Sequence, residues 1–362
     1  MCLTRWYDKS IASTAVTAIE SPRVGIGLKE HHMKIAIVGV GAIGGWMGVL
    51  LGQAADVELS AIARGATLQT LQLNGLQLTD STGTRQVSVR AEADPQRLGP
   101  QDLVIIAVKA PALEGVVSNI APLLGPETIV MPAMNGVPWW FLQGRTDAWA
   151  NRALRSIDPQ GEIARAVPPQ HVMGCVVHAS CAMLAPGHVK HHFGQGLIVG
   201  EPHGATTPRL QALVTRLTQA GFQTTLSSHI QKDIWFKLWG NMTVNPLSAM
   251  TGATTDLLLD DPLVREFMSN IMREAKAIGA RLGIAIDQEP EDRHAVTRKL
   301  GAFKSSMLQD AEAGRAVELD ALVGAVLELG ELTGVDTPFA RALMGLSRVH
   351  SQVHGLYPRP VV

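Results

Sequence analysis

The sequence is poor in aromatic and charged residues, and neither sign of charge is in excess. Phe, Trp and Tyr make up 4% of its 362 residues, charged residues 17%, and the formal net charge is −1. A near-neutral chain has no global field to attract nucleic acid or an anionic membrane, and no basic stripe with interleaved aromatics favours nucleic-acid binding. The 46% of hydrophobic residues is typical of a folded globular protein, and the length suffices for two domains.

Cysteine is also scarce. Cys2, Cys175 and Cys181 form no C-x-x-C pair, and an odd number argues against a disulfide framework. We therefore expect a cytoplasmic protein. Residues 1–32 do not resemble a signal peptide, because charged residues such as Glu20 interrupt any apolar core. We expect this segment to be a poorly ordered N-terminal extension.

Long uncharged runs are few, and one of them covers residues 35–55. Such a run is long enough to cross a bilayer, so a membrane span is one interpretation. Glycine and alanine interrupt it, however, and no second span follows. A buried strand followed by a buried helix is the favoured interpretation.

Within that run, Gly39, Gly41 and Gly44 have the G-x-G-x-x-G spacing between a β-type stretch and a helical one. The first glycine allows a tight turn, the second lets a pyrophosphate approach the backbone, and the third lets the helix pack on the strand. The helix N-terminus would offer free N–H groups to the phosphates. The spacing predicts a dinucleotide site, although this motif alone is a weak signal.

The end of the next strand indicates which dinucleotide is bound. An NAD site usually has a carboxylate there for the ribose hydroxyls. Here Ala63 and Arg64 occupy the position, with Arg64 twenty residues after Gly44. A guanidinium can pair with a 2′-phosphate, so we expect NADP (NADPH). The alternative is a solvated surface arginine.

Alternating strand and helix patterns continue to about residue 226 and predict a mostly parallel sheet with right-handed crossovers. Further strands are expected at 57–63, 102–108, 128–131, 172–183 and 188–199, short ones near 76–78 and 86–89, and a helix at 112–124. Residues 141–170 lose the pattern and are expected to form an inserted loop or short helix.

From residue 227 onward the patterns are helical only. Helices are expected at 262–283, 291–310, 315–333 and 338–354. We therefore predict a doubly wound Rossmann α/β domain at 33–226 and an all-α substrate and catalytic domain at 227–362.

One helix of the second part has an unusual polar row. Lys237, Asn241 and Asn245 lie at i, i+4 and i+8, so they share one face, and almost all of their neighbours are apolar. A largely buried helix would place this row in a cleft, where burial lowers the pKa of a lysine and makes it a useful proton donor. The alternative is a thin exposed stripe on an amphipathic helix.

A third group follows at Ser305, Ser306 and Asp310, with Glu318 downstream. Taken alone, either serine is a candidate helix N-cap, and Glu318 is a candidate solvated carboxylate.

Together these motifs resemble the 2-dehydropantoate 2-reductases (ketopantoate reductases) over about residues 33–350. The matching pieces, in order, are the glycine loop, Val108-Lys109-Ala110, Asn135-Gly136, Lys237-x-x-x-Asn241-x-x-x-Asn245-Pro246, and Ser305-Ser306-Met-x-Gln-Asp310 with Glu318. The last two are far more specific than the glycine loop.

The resemblance implies a Rossmann domain followed by an all-α domain of the 6-phosphogluconate-dehydrogenase C-terminal type, with the active site between them. It implies NADPH-dependent reduction of 2-dehydropantoate to (R)-pantoate in pantothenate biosynthesis by a monomer or homodimer. Lys237 would be the general acid, Asn135 would help to hold the carbonyl oxygen, and Glu318 would orient the substrate hydroxyl and the lysine. The implied substrate-binding residues are Asn135, Asn241, Asn245 and Ser306. The implied cofactor contacts are Gly39, Gly41, Ala42, Ile43, Gly44, Arg64, Lys109 and Asn135.

Two features depart from the family pattern. Trp139 and Trp140 follow Asn135-Gly136 where smaller residues are expected, and segment 141–170 is longer than a compact core needs. Both are expected near the substrate entrance, so a bulkier 2-oxo acid is an alternative substrate. A non-catalytic NADP-binding regulatory protein is a further alternative, which the complete Lys237 and Glu318 set disfavours.

The histidines suggest a metal site at first sight. His178, His188, His191 and His192 lie in strand-like segments, without H-x-x-x-H or H-E-x-x-H spacing, and adjacent histidines of a strand point to opposite faces. We therefore expect no metal.

Overall fold

The computed structural model describes residues 32–359. The predicted N-terminal extension lies outside the described residues except for its last residue. The strands are β1 Met33–Val38, β2 Val57–Ile62, β3 Leu76–Asp80, β4 Gly83–Val87, β5 Arg90–Glu92, β6 Gln101–Ile106, β7 Leu124–Pro132, β8 Gly174–Ala185, β9 His188–Gly200 and β10 Gln223–Leu226. The helices are α1 Ala42–Leu51, α2 Gly65–Asn74, α3 Leu113–Val117, α4 Glu162–Ala166, α5 Pro208–Gln219, α6 Ile230–Thr251, α7 Thr255–Asp260, α8 Pro262–Arg281, α9 Pro290–Arg298, α10 Ser306–Glu312, α11 Ala325–Thr333 and α12 Pro338–Val353.

The first sheet is parallel, with the strand order β5-β2-β1-β6-β7. The side chains of β1 alternate between its two faces: Ile35 and Ile37 enter one core, Ala36 and Val38 the other. Successive strands lie on opposite sides of β1, which opens a crevice at its carboxyl end. The predicted α/β Rossmann architecture with a following helical part is confirmed.

A second, mixed sheet has the order β10-β9-β3-β4, with β8 antiparallel to β9. Helix α1 lies between the two sheets. A Cβ on Gly45 would lie 2.6 Å from Val189 of β9, and one on Gly48 would lie 3.0 Å from Leu76 of β3. The small residues of the apolar run therefore fit a helix covered on both sides. No helix within residues 32–359 has the length and hydropathy to cross a membrane.

Three predicted helices were too long. Residues 112–124 form only the short α3 with a 3₁₀ turn on each side, and Pro122 cannot supply an interior helical N–H. Residues 291–310 are divided into α9 and α10 by a break that contains Gly301, whose φ is +62°. Residues 315–318 are irregular, and a π-helical turn at Asp320–Gly324 leads into α11.

The two parts of the chain share one apolar core. Val38 and Ile106 of the first sheet belong to the same cluster as Trp239 of α6 and Leu329 of α11. The segment around Trp140 lies in this cluster as well. The helices are thus packed against one face of the first sheet, and this packing fixes the cleft between them.

Candidate active site

The glycine loop lies at the carboxyl end of β1, and each of its glycines has a different environment. Gly39 has φ +96°, and a Cβ there would lie 2.6 Å from Val108. A Cβ on Gly44 would lie 2.2 Å from the carbonyl oxygen of Gly39. A Cβ on Gly41 would meet no atom within 4 Å. The first and third glycines therefore serve packing, and the second faces open space.

Helix α1 begins directly after this loop and has an open N-terminus. Gly41 is its N-cap and provides no side-chain hydrogen bond, and the first turn has no acidic residue. Ala42 and Ile43 form the start of that turn. Free N–H groups and the helix dipole favour an anion at this position.

A cavity of about 510 Å³ continues from the loop along the edge of the first sheet. Its lining includes Gly39, Arg64, Thr67, Asp94 and Asn119. Arg64 is exposed at the end of β2, where it is the N-cap of α2. This concave surface suits the adenosine half of a dinucleotide, and the exposed Arg64 guanidinium lies in its lining.

Lys237 lies across the cleft on α6 and is partly buried. Its Nζ donates one hydrogen bond to Asn135 Oδ1 at 2.8 Å and another to the carbonyl oxygen of Val177 at 2.6 Å. An ammonium group has three donors, so one remains for a substrate oxygen. The structure thus brings Lys237 and Asn135 together from positions 102 residues apart.

The electrostatic environment makes Lys237 a stronger acid than an ordinary lysine. Burial lowers its pKa to about 8. The charge of Glu318 raises this pKa and that of Arg293 lowers it. A lysine with such a pKa is charged at neutral pH and still releases its proton readily.

Asn241 and Asn245 continue the polar row along α6. Asn245 is buried and Asn241 is partly exposed. Helical spacing places both on the face of Lys237. Amides can donate to and accept from a small polar ligand in the cleft.

Glu318 and Lys109 meet where the helical part contacts the first sheet. Glu318 Oε1 accepts a hydrogen bond from the Ala110 N–H at 3.0 Å, and Oε2 lies 3.5 Å from Lys109 Nζ. Lys109 also pairs with Asp310 Oδ2 at 2.5 Å. Burial opposes the charge of Lys109, but the carboxylates of Glu318 and Asp310 raise its pKa above the usual value.

The two serines before α10 differ in environment. Ser305 is buried and accepts a hydrogen bond from Leu308 N at 3.1 Å, so it is the N-cap. Ser306 is exposed in the first turn. Its hydroxyl is available to a ligand.

Sequence reasoning missed three features of this site. Asp310 was seen only as part of a motif, and a main-chain acceptor such as the carbonyl of Val177 has no sequence signal. Arg293 lies in a run of charged residues, Glu291-Asp292-Arg293, that is typical of a solvated surface. The structure places its guanidinium against α6 instead.

The two tryptophans after Asn135 are core residues. Trp139 and Trp140 are 2% and 1% exposed. They line a cavity of about 180 Å³ together with Asn135, Cys175 and Glu318. The cavity therefore adjoins the group around Lys237, but the tryptophans are not exposed at an entrance.

The histidines serve local packing. His188 Nε2 hydrogen-bonds with Thr79 at 2.8 Å, and the ring of His191 stacks on Trp46 with centroids 5.8 Å apart. Across the described range 32–359, no three His, Cys, Asp or Glu side chains lie close enough together to hold a metal ion.

Two family models match almost the whole described chain, and both are models of ketopantoate reductases. The family described as "Ketopantoate reductase PanE/ApbA" matches residues 35–204, and "Ketopantoate reductase PanE/ApbA C terminal" matches residues 229–351. A 2-dehydropantoate 2-reductase of Mesorhizobium japonicum is 40% identical over 325 residues, which cover 90% of this chain and 100% of the relative.

Solved structures give the same result. A protein from Ralstonia solanacearum described as a ketopantoate reductase superposes with a TM-score of 0.86 at 53% identity, covering 90% of this chain and 99% of the other. A 2-dehydropantoate 2-reductase from Geobacter metallireducens gives a TM-score of 0.76 at 26% identity, covering 87% and 99%. The chain belongs to the ketopantoate reductase family and is an oxidoreductase.

Proposed function

We propose that this member of the ketopantoate reductase family reduces 2-dehydropantoate to (R)-pantoate with NADPH, and that it thereby serves pantothenate biosynthesis. The reaction named for the relatives requires a hydride donor, a group that stabilises and protonates the carbonyl oxygen, and contacts for the rest of the substrate. Among the described residues there are candidates for holding the hydride donor and for each of the other two tasks.

The observation that carries the proposal is the position of Lys237. The chemistry that bound NADPH would supply is a hydride for the C2 carbonyl, and negative charge would then develop on the carbonyl oxygen. The Lys237 ammonium, hydrogen-bonded to Asn135 Oδ1, has one donor left for that oxygen. A cation at this point stabilises the transition state more than the neutral ketone. Lys237 then gives its proton to the alkoxide, which completes the alcohol.

The residues that would hold NADPH are those of the glycine loop, Gly39, Gly41, Ala42, Ile43 and Gly44, together with Arg64, Lys109 and Asn135. The open space at Gly41 and the uncapped start of α1 support pyrophosphate binding. Arg64 supports a 2′-phosphate and therefore NADPH rather than NADH.

The remaining polar groups are assigned to the substrate. Asn241, Asn245 and Ser306 bind its carboxylate and hydroxyl groups. Glu318 is held by the Ala110 N–H and orients the substrate hydroxyl, while its charge acts on Lys237.

The test is NADPH consumption, followed by absorbance, with 2-dehydropantoate and a panel of other 2-oxo acids. Lys237→Ala is expected to abolish turnover and to keep NADPH binding, measured by fluorescence titration. Lys232→Ala is the matched control, because Lys232 is an exposed lysine of the same helix. Unchanged turnover in Lys237→Ala removes Lys237 from the mechanism. NADPH binding without turnover of any 2-oxo acid favours the non-catalytic regulatory alternative.

A bulkier 2-oxo acid is the second candidate substrate. The supporting observation is the cavity of about 180 Å³ next to Asn135, lined largely by apolar side chains such as Trp140 and Ile163. Comparing kcat/KM for 2-dehydropantoate with that for branched and aromatic 2-oxo acids decides between the two. A strong preference for 2-dehydropantoate rejects the second candidate.

A further inference from the structure

Arg293 of α9 lies flat against the catalytic helix. A Cβ on Gly240 of α6 would lie 2.6 Å from Arg293 Nε and 2.9 Å from Nη2. The guanidinium carbon also lies 5.4 Å from the ring centroid of Phe236, one helical turn earlier. The guanidinium therefore occupies space that any side chain at position 240 would fill. The ring of Phe236 stabilises its charge by a cation–π interaction.

Within residues 32–359, the Arg293 guanidinium has neither a hydrogen-bond acceptor nor a carboxylate at ion-pair distance. Its Nε is buried without an acceptor. The other arginine of α9 behaves differently, because Arg298 pairs with Asp260 at 2.5 Å and donates to the carbonyl oxygen of Leu259. The residue as a whole is only partly buried, so its two Nη groups have donors left for an anion, and a carboxylate bound there would also offset the cost of burying Nε.

Arg293 lies next to the proposed proton donor. Gly240 follows Lys237 by three residues, about 4.5 Å along the helix axis. The charge of Arg293 acts on Lys237 and also on His178, the neighbour of the Val177 carbonyl that Lys237 binds. Two neighbouring cations attract a ligand that is itself an anion.

We propose that Arg293 binds the carboxylate of the 2-oxo acid while Lys237 binds its C2 carbonyl oxygen. The inference rests on the proposed function. In a 2-oxo acid the carboxylate is bonded directly to C2, so a cation beside Lys237 is suitably placed for it. A guanidinium binds a carboxylate through two parallel hydrogen bonds, which also fixes the plane of the substrate. Asn241, Asn245 and Ser306 then donate hydrogen bonds to the remaining lone pairs of the substrate carboxylate and bind the substrate hydroxyl group.

The first test compares Arg293→Met with Arg298→Met, which removes an exposed arginine of the same helix. Arg293→Met is expected to raise KM for 2-dehydropantoate by about tenfold to a hundredfold, as expected for loss of a charge-assisted hydrogen bond. KM for NADPH and the values of Arg298→Met are expected to stay within about twofold of wild type. Arg293→Lys keeps the positive charge but cannot form two parallel hydrogen bonds. Its KM for 2-dehydropantoate is therefore expected to lie between those of wild type and Arg293→Met.

A pH profile tests whether Arg293 lies close enough to Lys237 for its charge to act on that lysine. Because Arg293 lowers the pKa of Lys237, its removal shifts the alkaline limb of kcat/KM to higher pH. A packing defect that lets water reach Lys237 would raise the same pKa, so Arg293→Lys is the control: it keeps the charge, and its alkaline limb is expected at the wild-type pH. An alkaline limb that stays at the wild-type pH in Arg293→Met contradicts the proposal.

Gly240→Ala tests the same idea while keeping every charge. The added methyl group must displace the guanidinium, whereas alanine itself favours the helix. KM for 2-dehydropantoate is expected to rise while the thermal unfolding midpoint stays unchanged or rises. An unchanged KM argues against the assigned position of Arg293.

A binding measurement distinguishes failure of the proposed function from failure of the Arg293 proposal. Oxamate is titrated into the enzyme–NADPH complex in a calorimeter. It is an analogue of a 2-oxo acid in which an amide replaces the ketone and the carboxylate is kept. If wild type reduces no 2-oxo acid but binds oxamate through Arg293, the proposed function fails and this inference stands. If wild type is active and Arg293→Met keeps the wild-type KM and oxamate affinity, only this inference fails. A wild type that neither reduces nor binds such compounds overturns both.

Discussion

At the scale of single residues, burial and neighbouring charges decide what each side chain can do. Lys237 has two fixed acceptors and a pKa lowered to about 8 by burial. Lys109, with two carboxylates beside it, has a raised pKa. Two lysines of the same cleft are therefore suited to different tasks, proton donation and charge pairing.

The pH dependence of the reduction follows from Lys237. The proton donor is the charged form, which is present below about pH 8 and is lost above it. We expect kcat/KM to be level up to about pH 8 and to fall about tenfold per pH unit above that. The measurement is a pH profile with 2-dehydropantoate. A profile that stays level to pH 10 would show that Lys237 is not the titrating donor.

The choice of cofactor is a second prediction at this scale. Arg64→Ala removes the exposed guanidinium that faces the proposed 2′-phosphate site. We expect KM for NADPH to rise about tenfold or more and KM for NADH to change little, because only NADPH has that phosphate. Arg97→Ala is the control, an exposed arginine nearby that pairs with Glu92. Equal losses for both cofactors would argue for a general structural effect.

At the scale of elements, the β1–loop–α1 unit shows how one motif combines packing with binding. Gly44 brings the helix against the backbone of Gly39, whereas Gly41 faces open space. All three glycines belong to one sequence motif. Only the neighbouring atoms separate a residue needed for folding from one needed for the ligand.

Two alanine substitutions separate these roles. Gly44→Ala places a methyl group 2.2 Å from a backbone oxygen, so we expect the free energy of unfolding to fall by about 2 to 4 kcal/mol. Gly41→Ala is expected to change it by less than about 1 kcal/mol and to weaken NADPH binding about tenfold or more. Urea denaturation and fluorescence titration measure the two effects. The reverse pattern would contradict the assignment.

At the scale of the whole molecule, the cleft depends on contacts between distant parts of the chain. We propose that the chain divides near residue 226, between β10 and α6, into a nucleotide-binding and a catalytic domain. Lys109 and Ala110 on one side hold Asp310 and Glu318 on the other. The shared apolar core keeps both sides in fixed relation.

Removal of Lys109 tests this connection. Lys109→Met leaves the buried carboxylates of Asp310 and Glu318 with fewer partners. We expect a loss of about 1 to 2 kcal/mol in unfolding free energy, reduced because the lysine is itself partly exposed. Arg315→Met is the control, since Arg315 contacts Asp310 from the same side of the cleft. An unfolding free energy equal to wild type would show that the apolar core alone holds the two sides.

The sequence by itself determined the local elements that have a regular hydrophobic period or a specific motif. The β1 strand, the glycine loop and the row of Lys237, Asn241 and Asn245 could be recognised because each depends on spacing along one element. Helix ends were less predictable at 112–124 and 291–310, because a proline or glycine break competes with an apolar period that continues through it.

Only the tertiary structure decided which side chains meet. The hydrogen bond from Lys237 to Asn135, the pairing of Lys109 with Asp310, and the position of Arg293 over Gly240 join residues of different elements. No spacing encodes such contacts, since they depend on how helices pack on a sheet. The same packing removes Lys237 from water, and that burial turns an ordinary lysine into a candidate proton donor.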